Sequence, residues 1–405
     1  MGNYSDLLVK LSNVYSKLRG DVAAKKNEDA AQGFVRSTTK YWVRTADVST
    51  VKQMVLQHMP IFQFNKDDFA GDAQLLNSVY LDNSSLELYH GRLDKKPLAI
   101  AMRIRWYGPS DPNVVYFERK THHESWTGEE SVKERFEIEA KNVMPFLLGT
   151  FKLEDAIKNL HSRGKGKDAN DKFKKIFTEC QQAVDSKQLL PLVRTQYMRT
   201  AFQIPFDSTV RMTLDTNLCM IKENPEEGPS CLEANRFYRD PSLPIQSSEI
   251  TRFPHAVLEV KLSLKQGESA PAWVKELIDS GLLTEVHKFS KFIHGSCTLY
   301  PEMVQSVPYW VDDESVRPSM IMSAPRGAGV TRHAGRAAGG TLEPNHPLLG
   351  SQPRIQMINN PADEARIARI RQKALRARDC CPVALCDTLL GVNNYPLPNV
   401  PQRIE

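Results

Sequence analysis

The sequence lacks the cysteine and hydrophobic patterns that mark zinc-binding and membrane-spanning proteins. Its seven cysteines are scattered, and no two of them stand in the Cys-x-x-Cys spacing of a zinc knuckle. No apolar run approaches the ~18 residues that a membrane-spanning helix needs, and residues 1–12 do not resemble a signal peptide. We therefore expect reduced thiols and a soluble chain with no membrane span, which would reach a membrane only through another segment or subunit.

The sequence also lacks a large excess of charge of one sign. Lys and Arg total 53 against 48 Asp and Glu, so the formal net charge is only +5. This small excess names no partner, and only cations concentrated on one surface would indicate a polyanionic ligand. Nor are the histidines spaced as a metal site, so we assign no catalytic role to His122, His123, His255, His287 or His294.

What the sequence does contain divides it into three parts. Residues 1–33 hold an amphipathic helix over positions 4–24, in which Leu7, Leu11 and Leu18 recur at helical spacing. Residues 34–312 alternate strand-like runs with helical stretches near 127–148, 154–186 and 272–292. Residues 313–405 are rich in Ser, Pro, Gly and Ala, so we expect a flexible tail containing one basic helix over 363–378.

Several predicted strands separate an apolar face from a charged face when their residues are counted in twos. In residues 100–107 the even positions are apolar, whereas the other face carries Arg103 and Arg105. The same pattern places on charged faces Lys40 in residues 39–43, Glu118 and Lys120 in 114–122, Tyr197 and Arg199, Arg211 and Asp215 in 210–218, and Glu259 and Lys261 in 255–262.

These faces allow two interpretations. They could be the solvated faces of an ordinary antiparallel sheet. The predicted helices, however, need apolar strand surface to cover, which would turn the charged faces inward. We therefore predict an α+β fold with a closed antiparallel β-barrel, a polar cationic lumen and helices packed outside. Such a lumen suits a polyanion, because guanidinium groups bind phosphate oxygens in bidentate fashion and a carboxylate among them could hold a phosphate-bridging metal.

Longer motifs accompany these strands. In chain order they are TTKYWV at 38–43, SVYLDN at 78–83, RIRWYG at 103–108, FERKTH at 117–122, WTGE at 126–129, YMRTAFQ at 197–203, VRMTLDT at 210–216, LEVK at 258–261 and KFSKF at 288–292. With these motifs the chain resembles, over residues 34–312, the tunnel domain of the vacuolar transporter chaperone family, within the triphosphate tunnel metalloenzymes. It resembles the catalytic subunit of that family, because none of the phosphate-binding positions is missing.

The resemblance implies a polyphosphate polymerase that uses ATP, a growing inorganic polyphosphate chain and a divalent ion, Mn²⁺ or Mg²⁺. It implies that the phosphates are held by Lys40, Arg103, Arg105, Lys120, Arg199, Arg211 and Lys291. It further implies substrate contacts from Tyr197, Ser290 and Lys133 and a metal-binding carboxylate at Glu259, with Lys133, Ser290 and Lys291 expected on helices. The implied partners are other subunits of a membrane-bound transporter chaperone complex at the cytoplasmic face of the vacuolar or an acidocalcisome-like membrane, without nucleic acid.

The chain departs from the wider superfamily at one motif. Its first strand carries Lys40 where Glu-x-Glu-x-Lys is common. A literal copy stands at residues 137–141, but we expect it to follow a helical run and not to be the motif. The resemblance also leaves at most residues 1–33 as a remnant of the family's phosphate-sensing domain, and its C-terminal membrane segments are absent, so we expect regulation and translocation to reside elsewhere.

Three alternative functions stay open. A tunnel triphosphatase would have the same lining and would release phosphate without making polymer. A noncatalytic subunit would bind polyphosphate without releasing ADP. A nucleic-acid binder would use cations beside Tyr and Trp for backbone tracking and base stacking, which needs an open groove. Two residues also have simpler interpretations, because Glu259 could pair with Lys261 and Lys291 could be a surface lysine.

Overall fold

The computed structural model describes residues 5–19, 34–63, 69–109, 111–123, 132–161 and 167–316. The WTGE run at 126–129 lies outside these ranges. So do all but the first four residues of the predicted tail, including the predicted helix over 363–378. The helix predicted near the N-terminus is present as α1 (Ser5–Arg19).

An antiparallel sheet forms the centre of the fold. Its strands are β1 (Phe34–Arg44), β2 (Phe69–Ala70), β3 (Ala73–Asp82), β4 (Ile100–Tyr107), β5 (Val114–Thr121), β6 (Lys133–Glu139), β7 (Leu190–Phe202), β8 (Val210–Lys222), β9 (Ile250–Arg252), β10 (His255–Lys265) and β11 (Leu283–Glu285). Hydrogen-bonded neighbours follow the order β11-β1-β10-β8-β7-β3-β4-β5-β6, with β2 beside β3 and β9 beside β8. The predicted antiparallel arrangement is therefore confirmed.

Helices connect these strands and cover them. After α1 come α2 (Val48–Leu56), α3 (Glu87–Leu93), α4 (Val143–Leu147), α5 (Leu153–His161), α6 (Lys167–Ser186), α7 (Ala272–Asp279) and α8 (Lys291–Leu299). The helices predicted near 154–186 correspond to α5 and α6. Among the described residues, no helix combines the length and the apolar character needed to cross a bilayer.

The sheet does not show the predicted closure. Hydrogen bonds link the strands of the described residues from β11 at one end to β6 at the other, and these two ends are not joined. The coarser prediction, a mixed α/β chain with a large antiparallel sheet, is confirmed, whereas the closed barrel is not.

Apolar strand faces pack under helices in two cores, as the alternation predicts. In one core, Met212, Leu214 and Leu258 of β8 and β10 lie against residues of α2 and α7. In the other, Phe117 of β5 packs on Phe146 of α4, with ring centroids 5.0 Å apart. Each fully buried side chain of this size contributes roughly 1.5–3 kcal/mol. Burial of these faces leaves the opposite, charged faces of the same strands to line a common surface.

The prediction of a helix over residues 127–148 is only partly correct in the described residues 132–148. Residues Lys133–Glu139 form β6, paired with β5, and only Val143–Leu147 form an α-helix there. Phe136 is buried on β6 with its ring 5.3 Å from that of Phe117. Such cross-strand packing outweighs the helical preference of the Glu and Lys residues around it. Lys133 therefore lies on a strand, and Glu137 to Glu139 of the literal superfamily motif lie on this edge strand rather than after a helix.

The helix predicted over residues 272–292 is also only partly correct. It divides into α7 and β11, and α8 begins at Lys291. The prediction that helices pack outside is wrong for α8, because Phe292 stacks on Tyr80 of β3 with ring centroids 4.9 Å apart. The hydroxyl of Tyr80 in turn accepts a hydrogen bond from Arg103. Thus α8 lies on the same face of the sheet as the charged residues.

Candidate functional site

Strand register brings the charged residues of β4 next to polar residues of β3. Arg103 lies opposite Tyr80, and Arg105 lies opposite Ser78. Arg103 Nη1 donates to Tyr80 Oη at 2.9 Å, and Arg105 Nε donates to Ser78 Oγ at 3.4 Å. Both guanidinium groups are thus oriented by hydroxyl groups on the neighbouring strand.

A buried carboxylate, Glu118 of β5, gathers three cations. Its side chain is 2% exposed and lies 2.6 Å from Arg103 Nε, 3.7 Å from Arg105 Nη1 and 2.9 Å from Lys133 Nζ. Burial raises the pKa of Glu118, but Arg103, Arg105 and Lys133 outweigh burial and lower this pKa to about 2. Burial, partly offset by Glu118, lowers the pKa of Lys133 to about 8.

A second buried carboxylate, Asp215 of β8, gathers cations from two other elements. Arg199 of β7 donates to both of its oxygens, at 2.6 and 2.7 Å, and Lys291 Nζ donates to Oδ2 at 2.6 Å. Tyr197 lies under both cations, with Lys291 Nζ 4.7 Å and Arg199 Cζ 5.2 Å from its ring centroid. Burial raises the pKa of Tyr197, yet nearby Arg199 and Arg105 outweigh it, so this pKa falls below its usual value.

A third group joins β1 and β10. Lys40 lies opposite Glu259 in the strand register, and its Nζ donates to the carbonyl of Phe289 at 2.5 Å. Burial, partly offset by Glu259, lowers the pKa of Lys40 to about 8. Burial raises the pKa of Glu259, but Lys40 and Lys261 outweigh burial and lower this pKa to about 2, so the carboxyl group stays ionised.

The sheet curls so that distant strands face one another. Burial lowers the pKa of Lys120 on β5, and Arg92 lowers it further. Two charges on β10 also act on Lys120, because Glu259 raises its pKa and Lys261 lowers it. Four strands, β8, β7, β3 and β4, separate β10 from β5 in the sheet. Charges on β5 and β10 can interact only if the face between them is strongly concave. We call this surface the charged face.

The N-terminus of α8 enters the charged face. Ser290 is its N-cap, and the Ser290 hydroxyl accepts a hydrogen bond from the backbone N–H of Ile293 at 3.4 Å. Lys291, the first helical residue, has only 14% of its side chain exposed. Lys291 is therefore not a surface lysine, although its helix was predicted on the outside.

Most of the predicted site residues meet on the charged face. They are Lys40, Arg103, Arg105, Lys120, Lys133, Tyr197, Arg199, Glu259 and Lys291, with Ser290 at its edge. Arg211 of β8 lies opposite Lys261 and is exposed, so it stands at the margin of the cluster. Which of these residues touch a substrate stays a prediction.

Sequence reasoning missed the residues that hold the cations in place. Glu118 and Asp215 appeared on charged strand faces, but alternation could not reveal that each one pairs with cations of several elements. Tyr80 was overlooked because the strand containing it was recognised only as a motif. Arg92, on α3, carries no strand periodicity at all and comes near Lys120 only in the folded chain.

The carboxylates differ in their fitness to hold a metal. Glu118 and Asp215 are 2% exposed and fully engaged by cations, whereas Glu259 is 22% exposed and has one close partner, Lys261 at 2.9 Å. The described residues contain no group of three or more His, Cys, Asp or Glu side chains that could hold an ion. A single carboxylate fits Mg²⁺ or Mn²⁺ when phosphate and water oxygens complete the coordination. Glu259 is thus the carboxylate best suited to a metal that arrives with a phosphorylated ligand.

The fold and this site define the chain as a mixed α/β protein whose large antiparallel sheet carries a cation-rich concave face. The profile of one protein family, described as the VTC domain, matches residues 35–300, more than half of the chain. The chain belongs to this family.

Curated relatives agree with this assignment. Vacuolar transporter chaperone complex subunit 4 of Schizosaccharomyces pombe is 41% identical over 349 residues, which cover 84% of this chain and 47% of that protein. Subunit 4 of Trypanosoma brucei brucei is 34% identical over 301 residues, 69% of this chain and 37% of that protein. Subunit 2 of S. pombe is 29% identical over 367 residues, 82% of this chain and 49% of that protein. The chain thus spans about half the length of these relatives, or less.

Proposed function

We propose that this chain carries a polyphosphate polymerase, which transfers the terminal phosphate of ATP to the end of a growing inorganic polyphosphate chain. The main support is the convergence of cations from β1, β4, β5, β7 and α8 on the charged face, where they outnumber Glu118, Asp215 and Glu259. The similarity to subunit 4 of the vacuolar transporter chaperone complex agrees with the resemblance of the sequence motifs, which implies this reaction.

In the proposed reaction, a terminal oxygen of the polyphosphate chain attacks the γ-phosphorus of ATP. A new P–O bond forms while the bond from the γ-phosphorus to the β,γ-bridging oxygen breaks, and ADP leaves with that electron pair. Phosphoryl transfer depends on positioning and charge stabilisation more than on covalent help from the protein. A face of fixed cations supplies both, and no side-chain nucleophile is required.

The individual cations have separate tasks in this proposal. Arg103, Arg105 and Arg199 present planar guanidinium groups to phosphate oxygens, and Lys40 and Lys291 add point charges. Tyr197, whose ring lies beside Arg199 and Lys291, donates a further hydrogen bond to phosphate from its hydroxyl. Three exposed cations at the margins of the charged face guide the polyanion toward the buried part of that face. They are Lys120, Lys133 and Arg211.

Glu259 would hold the Mn²⁺ or Mg²⁺ ion. When bound, the ion would offset negative charge on the phosphates of the nucleotide. The salt bridge from Lys261 to Glu259 is only partly buried, with 43% of the Lys261 side chain exposed, so that Lys261 can release the carboxylate. Glu118 and Asp215 keep their cations and stay away from the metal.

The whole protein would act with other subunits of a vacuolar transporter chaperone complex, because its relatives are subunits 2 and 4 of such a complex. We place the activity at the cytoplasmic face of the vacuolar membrane, where ATP is available. Nucleic acid is not a proposed ligand.

The test is product analysis with a matched pair of variants. The purified chain, given ATP and Mn²⁺, is expected to release ADP and to form a ladder of phosphate polymers on a gel. Glu259→Gln removes the proposed metal ligand while keeping its shape, so metal-dependent turnover should fall at least 100-fold with an unchanged melting temperature. Glu276→Gln, an exposed position on α7, is the control and should behave as the wild type.

Other products would identify the rival functions. Orthophosphate without polymer would indicate a triphosphatase, and polyphosphate binding without ADP release would indicate a noncatalytic subunit. Full metal-dependent activity in Glu259→Gln would refute the metal role of Glu259.

A further inference from the structure

Asp215 joins a cation of the sheet to a cation of α8 on the charged face. Oδ1 accepts a hydrogen bond from Arg199, and Oδ2 accepts one from Arg199 and one from Lys291. Only 2% of its side chain is exposed. Burial raises its pKa, but Arg199 and Lys291 outweigh burial and hold the pKa well below its usual value. Asp215 therefore stays ionised, and both of its oxygens are already engaged by cations.

The two cations that Asp215 holds come from separate parts of the fold. Arg199 extends from β7, which is part of the sheet, whereas Lys291 extends from α8, which packs on top of it. Both side chains are long and flexible, and each would lose side-chain entropy on adopting one position. Asp215 and the ring of Tyr197 beneath both cations offset that loss before any ligand arrives.

We propose that Asp215 is a positioning residue: it sets the distance and direction between Arg199 and Lys291, so that both cations meet the transferred phosphoryl group together. The inference rests on the proposed phosphoryl transfer and adds to it a residue that touches no substrate. A positively charged pair placed in advance stabilises the transition state more than the bound ground state, because nothing has to reorganise during transfer.

This role and a mere charge effect predict opposite results. Removing the negative charge of Asp215 makes the charged face more positive, so electrostatics alone predicts tighter polyanion binding with equal or faster turnover. Loss of positioning predicts that binding is kept while turnover slows, because Arg199 and Lys291 remain charged but are no longer aligned.

The experiment compares Asp215→Asn with the wild type in three measurements on the full chain. We expect kcat for polymer formation to fall about 10- to 100-fold. The Kd for tripolyphosphate, measured by calorimetry without turnover, and the KM for ATP should stay within about threefold or decrease. The melting temperature reports the structural effect separately.

Glu249→Gln is the matched control. Glu249 is 1% exposed and pairs with Arg239 at 2.9 Å, and neither residue belongs to the charged face. Its replacement removes a buried carboxylate of the same kind, so its melting temperature should fall as in Asp215→Asn while its kcat stays at the wild-type value. Asp215→Glu is the conservative variant, which keeps the charge but moves it along the side chain. It should remain folded with kcat between those of the wild type and Asp215→Asn.

The inference is overturned if Asp215→Asn keeps wild-type kcat, or if its kcat and tripolyphosphate affinity are lost together. A loss of kcat of equal size in Glu249→Gln would also overturn it. If Asp215→Asn does not fold, Asp215→Glu decides, and wild-type kcat in that variant contradicts positioning. A wild-type chain that forms no polymer refutes the proposed function instead, which separates the two failures.

Discussion

Lys40 illustrates how a single residue on the charged face depends on its surroundings. It lies on β1 opposite Glu259 and donates a hydrogen bond to the carbonyl of Phe289. In addition to burial, the positive charges of Lys291 and Lys120 lower its pKa. Burial lowers its pKa from 10.5 to about 8, so its charge is present at neutral pH and is lost as the pH rises through 8. A bound polyanion would favour the charged form and would lose that contact at high pH.

The first prediction at this scale concerns pH. The affinity of the wild type for tripolyphosphate should fall between pH 7 and pH 9.5, measured by calorimetry, because Lys40 becomes neutral. Lys40→Met should bind about tenfold more weakly at pH 7, since a charge-assisted hydrogen bond contributes ~1.5 kcal/mol. Its affinity should then change less with pH than that of the wild type.

Lys133, whose pKa is also lowered to about 8, titrates in the same range and needs its own variant, Lys133→Met. Lys275→Met, at an exposed position on α7, is the control and should keep the wild-type pH profile. An unchanged pH profile in Lys40→Met would show that Lys40 does not contact the ligand.

At the scale of elements, α8 decides where one edge of the site lies. The chain has Gly295 inside this helix, and a Cβ atom there would lie 2.9 Å from Val193 Cγ1 and 3.0 Å from Met220 Cγ. Gly295 thus allows α8 to approach β7 and β8 closely, which carries Lys291 to Asp215. Packing rather than backbone conformation requires glycine at this position.

Gly295→Ala tests this arrangement. Overpacking should lower the free energy of unfolding by about 1–3 kcal/mol in urea titrations and should reduce kcat by displacing Lys291. Gly91→Ala is the matched control on α3, where a Cβ would lie 3.6 Å from Ala99 Cβ, an ordinary contact. That variant should be neutral or stabilised by up to ~1 kcal/mol, because alanine favours helix over glycine. Equal stability of Gly295→Ala and the wild type would contradict close packing of α8.

At the scale of the whole molecule, the small net charge of +5 conceals a strongly uneven distribution. Cations from distant strands meet on the charged face, and beside the effect of burial the charges of Lys291 and Lys120 lower the pKa of Lys40. This repulsion is the energetic cost of a face prepared for a polyanion, and a bound polyanion would remove it.

Tripolyphosphate should therefore stabilise the folded chain far more than chloride at the same ionic strength. At 100 times its Kd, a ligand that binds only the folded state contributes ~2.7 kcal/mol. For a folded part of about 280 residues, whose entropy of unfolding is about 0.6 kcal/mol/K, that corresponds to a rise in melting temperature of roughly 5 °C. Differential scanning fluorimetry measures the shift, and an exposed variant such as Lys275→Ala should show the same rise. Equal shifts with tripolyphosphate and chloride would contradict a dedicated polyanion site.

Alternation along the sequence was enough to assign the two faces of several strands. Alternation in residues 100–107, 210–218 and 255–262 separated apolar from charged faces correctly, because side chains on a strand point to opposite sides at every step. The motifs also led to Lys40, Arg199 and Glu259, since they preserve the residues of a family in order. A strand pattern of this kind depends only on local geometry.

The tertiary structure alone decided which residues meet. Alternation does not specify the neighbour of a strand, so the pairing of Asp215 with Arg199 and Lys291, and of Glu118 with Arg103 and Lys133, could not be predicted. Local preference gave the wrong secondary structure for β6, where Phe136 packs on Phe117 of the neighbouring strand. It also gave the wrong position for α8, which approaches β7 and β8 closely because Gly295 has no side chain. The burial energy of such contacts exceeds the small differences in intrinsic propensity, and for that reason the folded chain, rather than its local sequence, sets the site.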